Sequence, residues 1–343
     1  MSTLSTVDQL EGAVGSRPPT HHLKSISELD EHCATILGAS PLVVVGALAG
    51  DGSLRIVTGG GDPGATRIVT PTRLALPPLP PLDVPAGTAV GALALVPGYG
   101  ETLRVNGRLA PDAAPAVDVE EAFLHCAKAV IRSHLWDEPA PAVGAGATPG
   151  PTTLDDPDVA AFLARSPFVV LASADADGHA DVSPKGDPPG FVQVLDDGTL
   201  ALPDRPGNRR TDTLHNLLTR PDLALLALVP GEGRALEVRG RARITDDEAL
   251  RAGMAVNAKV PRAAVVLDAA HVELRAEPGL AAARLWDTGR HVEPGTLPRG
   301  ATVWVDHIKR NDDPGLKAAA TRRIVNERMM RTGIDRDYRD NLY

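Results

Sequence analysis

Two neighbouring stretches, SPKGDPPGF (Ser183–Phe191) and PDRPGNRRTDTLHN (Pro203–Asn216), set the reading of the whole chain. The first is a Gly- and Pro-rich bend after an alternating run, where backbone can come close to a flat ligand. The second reads as a turn, Pro206-Gly207-Asn208, leading into a helix expected to hold Arg209 and Arg210 in its opening turn and to run to about Arg220. Backbone N–H groups at a helix start, joined by two guanidinium groups, form an anion site suited to a phosphate. Either stretch alone also reads as a surface loop or an ordinary basic helix. Their occurrence together, in this order, favours a ligand site.

Outward from this site the chain repeats itself. SPLVVVGALAGDG (Ser40–Gly52) matches SPFVVLASADADG (Ser166–Gly178) without a gap, and ALALVPGYGETLRVNGRL (Ala92–Leu109) parallels ALLALVPGEGRALEVRGRA (Ala224–Ala242). LWD occurs at Leu135–Asp137 and again at Leu285–Asp287. Fainter echoes join GGGDPGA (Gly59–Ala65) to PKGDPPG (Pro184–Gly190) and RLALPPLP (Arg73–Pro80) to TLALPDRP (Thr199–Pro206). A period of roughly 130 residues is too long for a solenoid and means two copies of one domain.

The expected organisation is a flexible, polar lead-in over 1–24, a first domain over 25–137, a Pro/Gly/Ala linker over 138–153, a second domain over 154–290 and a C-terminal extension over 291–343. Short runs such as PLVVVGAL, SLRIVT, ATRIV and RLAL, and a hairpin around Pro97-Gly98, predict a β-barrel or sandwich. SISELDEHCATIL (Ser25–Leu37) predicts a helix with a capping box from Ser27 to Asp30. TVWVDHI (Thr302–Ile308) reads as an added strand, and DDPGLKAAATRRIVNERMMRTG (Asp312–Gly333) as one helix that packs on the barrel or on a second chain.

Composition narrows the function classes. The 343 residues carry a formal charge of −9, which argues against a general nucleic-acid binder. Cys33 and Cys126 make neither a disulfide framework nor a zinc-ligand spacing, so a reducing cytoplasm is expected. The opening MSTLSTVDQLEGAVG does not read as a signal peptide, and no apolar run is long enough for a membrane span. Neighbouring His21 and His22 lack a carboxylate partner, no HExxH occurs, and Gly59–Gly61 lacks the GxGxxG setting, so neither a metal nor a dinucleotide fingerprint is expected.

The two copies differ in a complementary way. Where the second has DRPGNRRTDTLHNLL, the first has PLPPLDVPAG. The first instead keeps VEEAFLHCAKAVIRSHLWD (Val119–Asp137), with Lys128 and Arg132 four apart on one helical face, where the second has Pro278 and Gly279.

The opening stretches resemble the signature of the pyridoxamine 5'-phosphate oxidase-like, FMN-binding split-barrel flavoproteins, in which an SP-R/K-GD-PPGF strand end and a PDRPGNRR-type turn hold the flavin ring and its phosphate. The likeness covers both halves and is motif-grade around 166–244 and 119–137. It implies a mainly β (α+β) fold of two tandem FMN-binding split β-barrels packed as a pseudo-dimer, with a helical C-terminal extension. Proteins of that family are typically dimers with flavin sites at the interface, one subunit giving the phosphate cradle and the other a segment resembling HCAKALIRSGLW. The fused chain is therefore expected to keep one FMN site between its halves.

The resemblance assigns Asn208, Arg209 and Arg210 to the phosphate, helped by Thr213 and Asn216, with Asp212 orienting an arginine. Ser183, Lys185, Gly186 and Asp187 would run beside the ring, where Lys185 would stabilise reduced flavin. Lys128 and Arg132 would come from the other half, and Trp136 would serve packing. The implied function is an FMN-dependent oxidoreductase acting on a small molecule, with oxygen or a nicotinamide as electron partner and no assigned catalytic residue. The further Arg and His motif of true pyridoxamine phosphate oxidases is missing, so that particular activity is not implied. Alternatives are a haem protein (with His125, His215 or His271 as ligand), a deazaflavin protein, or a non-catalytic flavin-binding or sensing module. Pairing of whole chains into a homodimer through the tail helix is a further expectation.

Overall fold

The computed structural model describes residues 2–18, 20–112, 114–139, 150–196 and 198–343, so most of the expected linker, 140–149, lies outside the described residues. The first half forms seven strands: β1 (Leu42–Leu48), β2 (Leu54–Gly60), β3 (Arg67–Thr70), β4 (Arg73–Ala75), β5 (Ala89–Leu95), β6 (Thr102–Leu109) and β7 (Ala116–His125). The second forms β8 (Phe168–Ala174), β9 (Ala180–Gly186), β10 (Gln193–Asp196), β11 (Thr199–Asp204), β12 (Asp222–Leu228), β13 (Arg234–Thr245) and β14 (Ala263–Ala276). The first antiparallel sheet runs β2-β1-β5-β6-β7-β4-β3 and the second β9-β8-β12-β13-β14-β11-β10. Put β8 for β1 and the orders are identical. Even the register shift recurs, after Asn106 in one long hairpin and after Arg239 in the other.

Side-chain alternation divides the apolar residues into three groups. Val43, Val45, Val90 and Leu103 fill the first barrel, and Val169, Leu171, Leu225 and Val238 the second. The residues between them, including Leu42, Val44 and Leu93 with Phe168, Val170 and Leu226, meet in a cluster shared by both halves. Strands β1, β5, β8 and β12 are thus buried on both faces, which is why they read as unbroken apolar runs. Each such side chain contributes about 1.5–3 kcal/mol on burial, so the junction holds the halves together as firmly as a core does.

The helices are α1 (Val7–Val14), α2 (Glu31–Ala39), α3 (Lys128–Ser133), α4 (Pro157–Arg165), α5 (Asp212–Thr219), α6 (Glu248–Gly253), α7 (Pro278–Ala283), α8 (Gly300–Arg310), α9 (Leu316–Ile324) and α10 (Glu327–Asp340). α2 and α4 precede the two sheets, α3 and α7 follow them, and α5 and α6 belong to the second half alone.

Several local expectations are corrected. The lead-in contains α1, closed by a Thr6/Gln9 capping box, and its Leu10 is buried in the core of the second barrel. α2 is capped by Asp30, which accepts from the Cys33 N–H at 2.9 Å, while Ser27 stays outside the helix. α5 begins only at Asp212, because Thr211 is left-handed (φ 53°), so Arg209 and Arg210 lie in the turn before it.

TVWVDHI is part of helix α8, not a strand. Its Val303, Trp304 and Ile308 share a buried face, and the Trp304 indole N–H donates to the Leu124 carbonyl at 2.8 Å. A short β-branched run does not separate the two periods. The long tail helix is two helices, because Asn326 caps α10 by accepting from the Met329 N–H at 2.9 Å, and α10 runs past Gly333 to Asp340. Among the described residues no helix is long and apolar enough to cross a membrane.

Candidate functional site

α3 of the first half lies on β9 of the second. The approach is so close that a Cβ at Gly186 would overlap the Ala129 carbonyl, and the Gly186 carbonyl accepts from Arg132 Nε at 2.8 Å. Beside this contact is a cavity of about 70 Å³ lined by His125, Lys128 and Arg132 from the first half and by Ser183, Lys185, Asn208 and Thr213 from the second. It adjoins a second cavity of about 540 Å³, which shares Lys128, Lys185, Arg205 and Asn208 with it. The segments 258–262 and 337–343 wall the larger space. The smaller has room for a group the size of a few waters, and the larger falls in the range of small-molecule pockets.

A lattice of arginines fixes the turn at 208–213. Asp212 binds Arg104 at 2.5 Å, Arg210 at 2.9 Å and Arg17 at 3.3 Å. Burial alone would raise the Asp212 pKa, but Arg104 and Arg210 hold its carboxyl well below the usual range. Arg210 also donates to Glu121 at 2.9 Å and to Ser25 at 2.7 Å, and its guanidinium lies 3.8 Å from the Phe123 ring centre. Arg104 lies 4.1 Å from the same ring and donates to Ser183 Oγ at 3.2 Å. Arg210 is thus committed to the protein, with its charge matched by Asp212 and Glu121. Arg104, fully buried on β6, was not singled out by sequence reasoning. The signal that could have found it is its replacement by Glu237 at the matching place of the second copy.

Of the three histidines that the sequence offers as haem ligands, His125 alone lines either cavity. Its Nδ1 faces the Asn208 amide nitrogen at 3.3 Å, which makes Nδ1 the acceptor and puts the proton on Nε2. That Nε2 is buried and has no hydrogen-bond partner. Burial, reinforced by Arg104 and Arg210, pushes the imidazole pKa well below its ordinary value, so the ring is neutral. An unmatched buried donor costs about 1–3 kcal/mol, and a ligand oxygen in the small cavity would remove that cost.

Lys128 and Arg132 are buried rather than solvated. Lys128 Nζ meets Asp337 at 2.7 Å and the Asn341 carbonyl at 2.9 Å. Arg132 donates to the Pro206 carbonyl at 3.0 Å and the Leu342 carbonyl at 2.8 Å, and burial lowers its pKa. The Ala127 N–H donates to the Tyr338 hydroxyl at 2.8 Å. The final YRDNLY, which carried no signal in the sequence, is therefore a wall of the cleft.

The remaining candidates are placed as follows. Lys185 is paired with Asp204 at 3.0 Å. Arg209 lines the larger cavity, with φ 60°. Asp187 is fully buried and binds Arg205 at 2.7 Å; burial raises its pKa against the pull of Arg205 and Arg132. Asn216 donates to Ser173 at 3.0 Å and to Asp181 at 2.8 Å. Neither Asp187 nor Asn216 lines either cavity. Trp136 packs 6.1 Å from Trp286 and donates to the Tyr99 carbonyl at 2.7 Å.

Two sheets of one strand order, packed on a shared cluster with a cleft at the junction, define a duplicated split-barrel protein. Residues 156–276 match the family model described as Pyridoxamine 5'-phosphate oxidase. The match covers about a third of the chain, all of it in the second half, and there the chain is similar to that family. No curated protein matches the sequence.

Among solved structures, Group A Streptococcus HupZ is 17% identical, covering 35% of this chain and 94% of its own, with a TM-score of 0.29. An F420 reductase is 19% identical, covering 33% and 94%, with a TM-score of 0.26. A pyridoxamine 5'-phosphate oxidase-related, FMN binding protein from Nostoc punctiforme is 13% identical, covering 35% and 82%, with a TM-score of 0.26. At such values these likenesses carry no argument, and the resemblance rests on the family match over residues 156–276.

Proposed function

We propose that the chain binds one FMN in the cleft between its halves and acts as an FMN-dependent oxidoreductase on a small molecule. The observation that carries this reading is the lining of one cavity by the 208–213 turn of the second half and by His125, Lys128 and Arg132 of the first. The residues fit the group: α5 opens without a side-chain cap, and a buried imidazole N–H lacks an acceptor.

On this reading Asn208, Thr213 and the open N–H groups of α5 take the phosphate, His125 Nε2–H donates to an oxygen of the cofactor, and Arg209, which lines only the larger of the two cavities, stays outside the phosphate cradle. Ser183, Lys185 and the backbone at Gly186 run along the ring. Asp204 beside Lys185 offsets part of the charge that would favour reduced flavin. Arg104, Arg210, Asp187 and Asn216 act through their neighbours, by locking the turn and β9 in place. Lys128 and Arg132 fix the junction and the tail. Bound FMN would supply two-electron chemistry at its ring, and the substrate and an electron partner, oxygen or a nicotinamide, would meet it in the larger cavity.

The test is the absorption spectrum of the purified chain, with the released cofactor identified by mass. Oxidised-flavin bands and FMN support the reading. A Soret band, a deazaflavin, or a protein that stays colourless with added FMN contradicts it.

A further inference from the structure

The charges lining the larger cavity do not cancel. Its cations are Lys128, Lys185, Arg205, Arg209, Lys259 and Arg262, and its acids are Asp204, Asp337 and Asp340. Lys128 is matched by Asp337, Lys185 by Asp204 and Arg205 by Asp187, while Asp340 is matched by Arg336. Arg209, Lys259 and Arg262 have no carboxylate within ion-pair distance among the described residues. All three are exposed at the mouth. In a chain of net charge −9, three unmatched cations around one opening are an anion-attracting feature.

The loop that carries two of them is held in place. Asn257 (φ 50°) and Ala258 (φ 59°) are both left-handed, in a tight turn closed by the bridge between Val256 and Lys259. Ala in that region is strained, and such strain persists only where the surroundings impose it. Arg205 braces the segment on both sides of the turn: anchored on Asp187, it donates to the Met254 carbonyl at 2.6 Å and to the Lys259 carbonyl at 3.4 Å. The loop is thereby tied to the floor of the cleft. Arg251 adds a bond to the Pro261 carbonyl at 3.0 Å.

We propose that Lys259 and Arg262, which line the larger cavity together with Arg209, bind the diphosphate of a second ligand, a nicotinamide dinucleotide that serves as electron partner. The inference rests on the flavin reading only for what that partner meets inside. The resident phosphate and the visiting one call for different sites. A buried, pre-arranged cradle suits a cofactor that stays. Exposed cations give a screened, reversible attraction that speeds arrival and permits release. A diphosphate spreads its charge over two adjacent phosphates, a span that separate cations on one loop can share.

The test uses the full-length protein, with inorganic pyrophosphate and then NADPH as probes, titrated by calorimetry at two salt concentrations. The Lys259→Ala/Arg262→Ala double variant is compared with the parent, and its melting temperature checks the fold. The expected result is a roughly tenfold rise in Kd for both probes, a weaker salt dependence and an unchanged FMN content. Unchanged pyrophosphate affinity overturns the proposal, as does a response to pyrophosphate without one to NADPH. Loss of FMN from the double variant also overturns it, because the mouth would then hold the cofactor. If the parent binds no FMN while the double variant still weakens both probes, the mouth assignment stands and the flavin reading falls.

Discussion

The molecule has two junctions built to one plan, and they differ in charge. At one, α3 packs on β9, with Gly186 against Ala129; at the other, α7 packs on β2, with Gly60 against Gly279. The long hairpins correspond: Arg104 faces Phe123 across β6 and β7, and Glu237 faces Glu273 across β13 and β14. From there His125 corresponds to Arg275, Lys128 to Pro278 and Arg132 to Ala282, while Lys185 corresponds to Gly59. The second junction is knit to itself. Glu237 binds Arg275, and Arg239 at 2.8 Å, while Glu277 binds Arg275 at 2.8 Å and Thr58 at 2.5 Å. Packing was kept twice, and the arrangement that could receive an anion was kept once. Tight backbone contact is needed wherever the halves meet, whereas one ligand site is enough for a fused chain.

The largest effect expected from this comparison is at Arg104. Arg104→Ala takes the fully buried guanidinium away from Asp212, which keeps Arg210 and Arg17, and from Asp181, and should cost about 3–5 kcal/mol of stability, with loss of FMN. Glu237→Ala at the matching place should leave FMN content unchanged. Denaturant unfolding alongside flavin quantification measures both, and equal flavin loss in the two variants would break the comparison.

Next is His125→Phe, which keeps the ring's bulk and removes the unmatched donor. FMN affinity should fall by about 1–3 kcal/mol, roughly five- to 150-fold, with little change in melting temperature. Arg275→Ala should not move it. Deleting 337–343 opens a wall of the larger cavity, and FMN release, followed by fluorescence, should accelerate roughly tenfold. Slower release would mean that the tail competes with the cofactor instead of enclosing it.

The smallest effect is on pH dependence, and its sign differs between the junctions. Asp212 is depressed in the folded state, so its contribution is present above its unfolded value near 3.8 and is lost as pH falls below it. Burial, only partly offset by Arg275 and Thr58, raises Glu277 above 4.5, so folding there weakens as pH rises through that shifted value. Glu277→Gln should flatten the decline in melting temperature above pH 4.5, and Asp212→Asn should flatten the decline on the acid side. An unchanged profile in both would remove the electrostatic contrast.

Much of this was legible in the sequence. SPLVVVGALAGDG and SPFVVLASADADG reveal the duplication because strands buried on both faces tolerate few residue types. The Gly and Pro of the SPKGDPPGF bend and the DRPGNRR turn show through because backbone conformation demands them. Helix ends were less legible: a left-handed Thr211 and an Asn326 cap leave no mark that a neighbouring Asp or Gly does not also leave. Arg104, His125 and the YRDNLY tail were hidden for another reason. Their roles depend on partners across the junction, at separations that periodicity does not reach.

The most direct test of the central claim is the number of FMN molecules per chain at saturation, by calorimetry and by quantifying released flavin. One per chain is the expected result, and it should fall to none in Arg104→Ala. Two per chain would contradict the account, since the self-paired junction of Glu237, Arg275 and Glu277 would then be a working site as well.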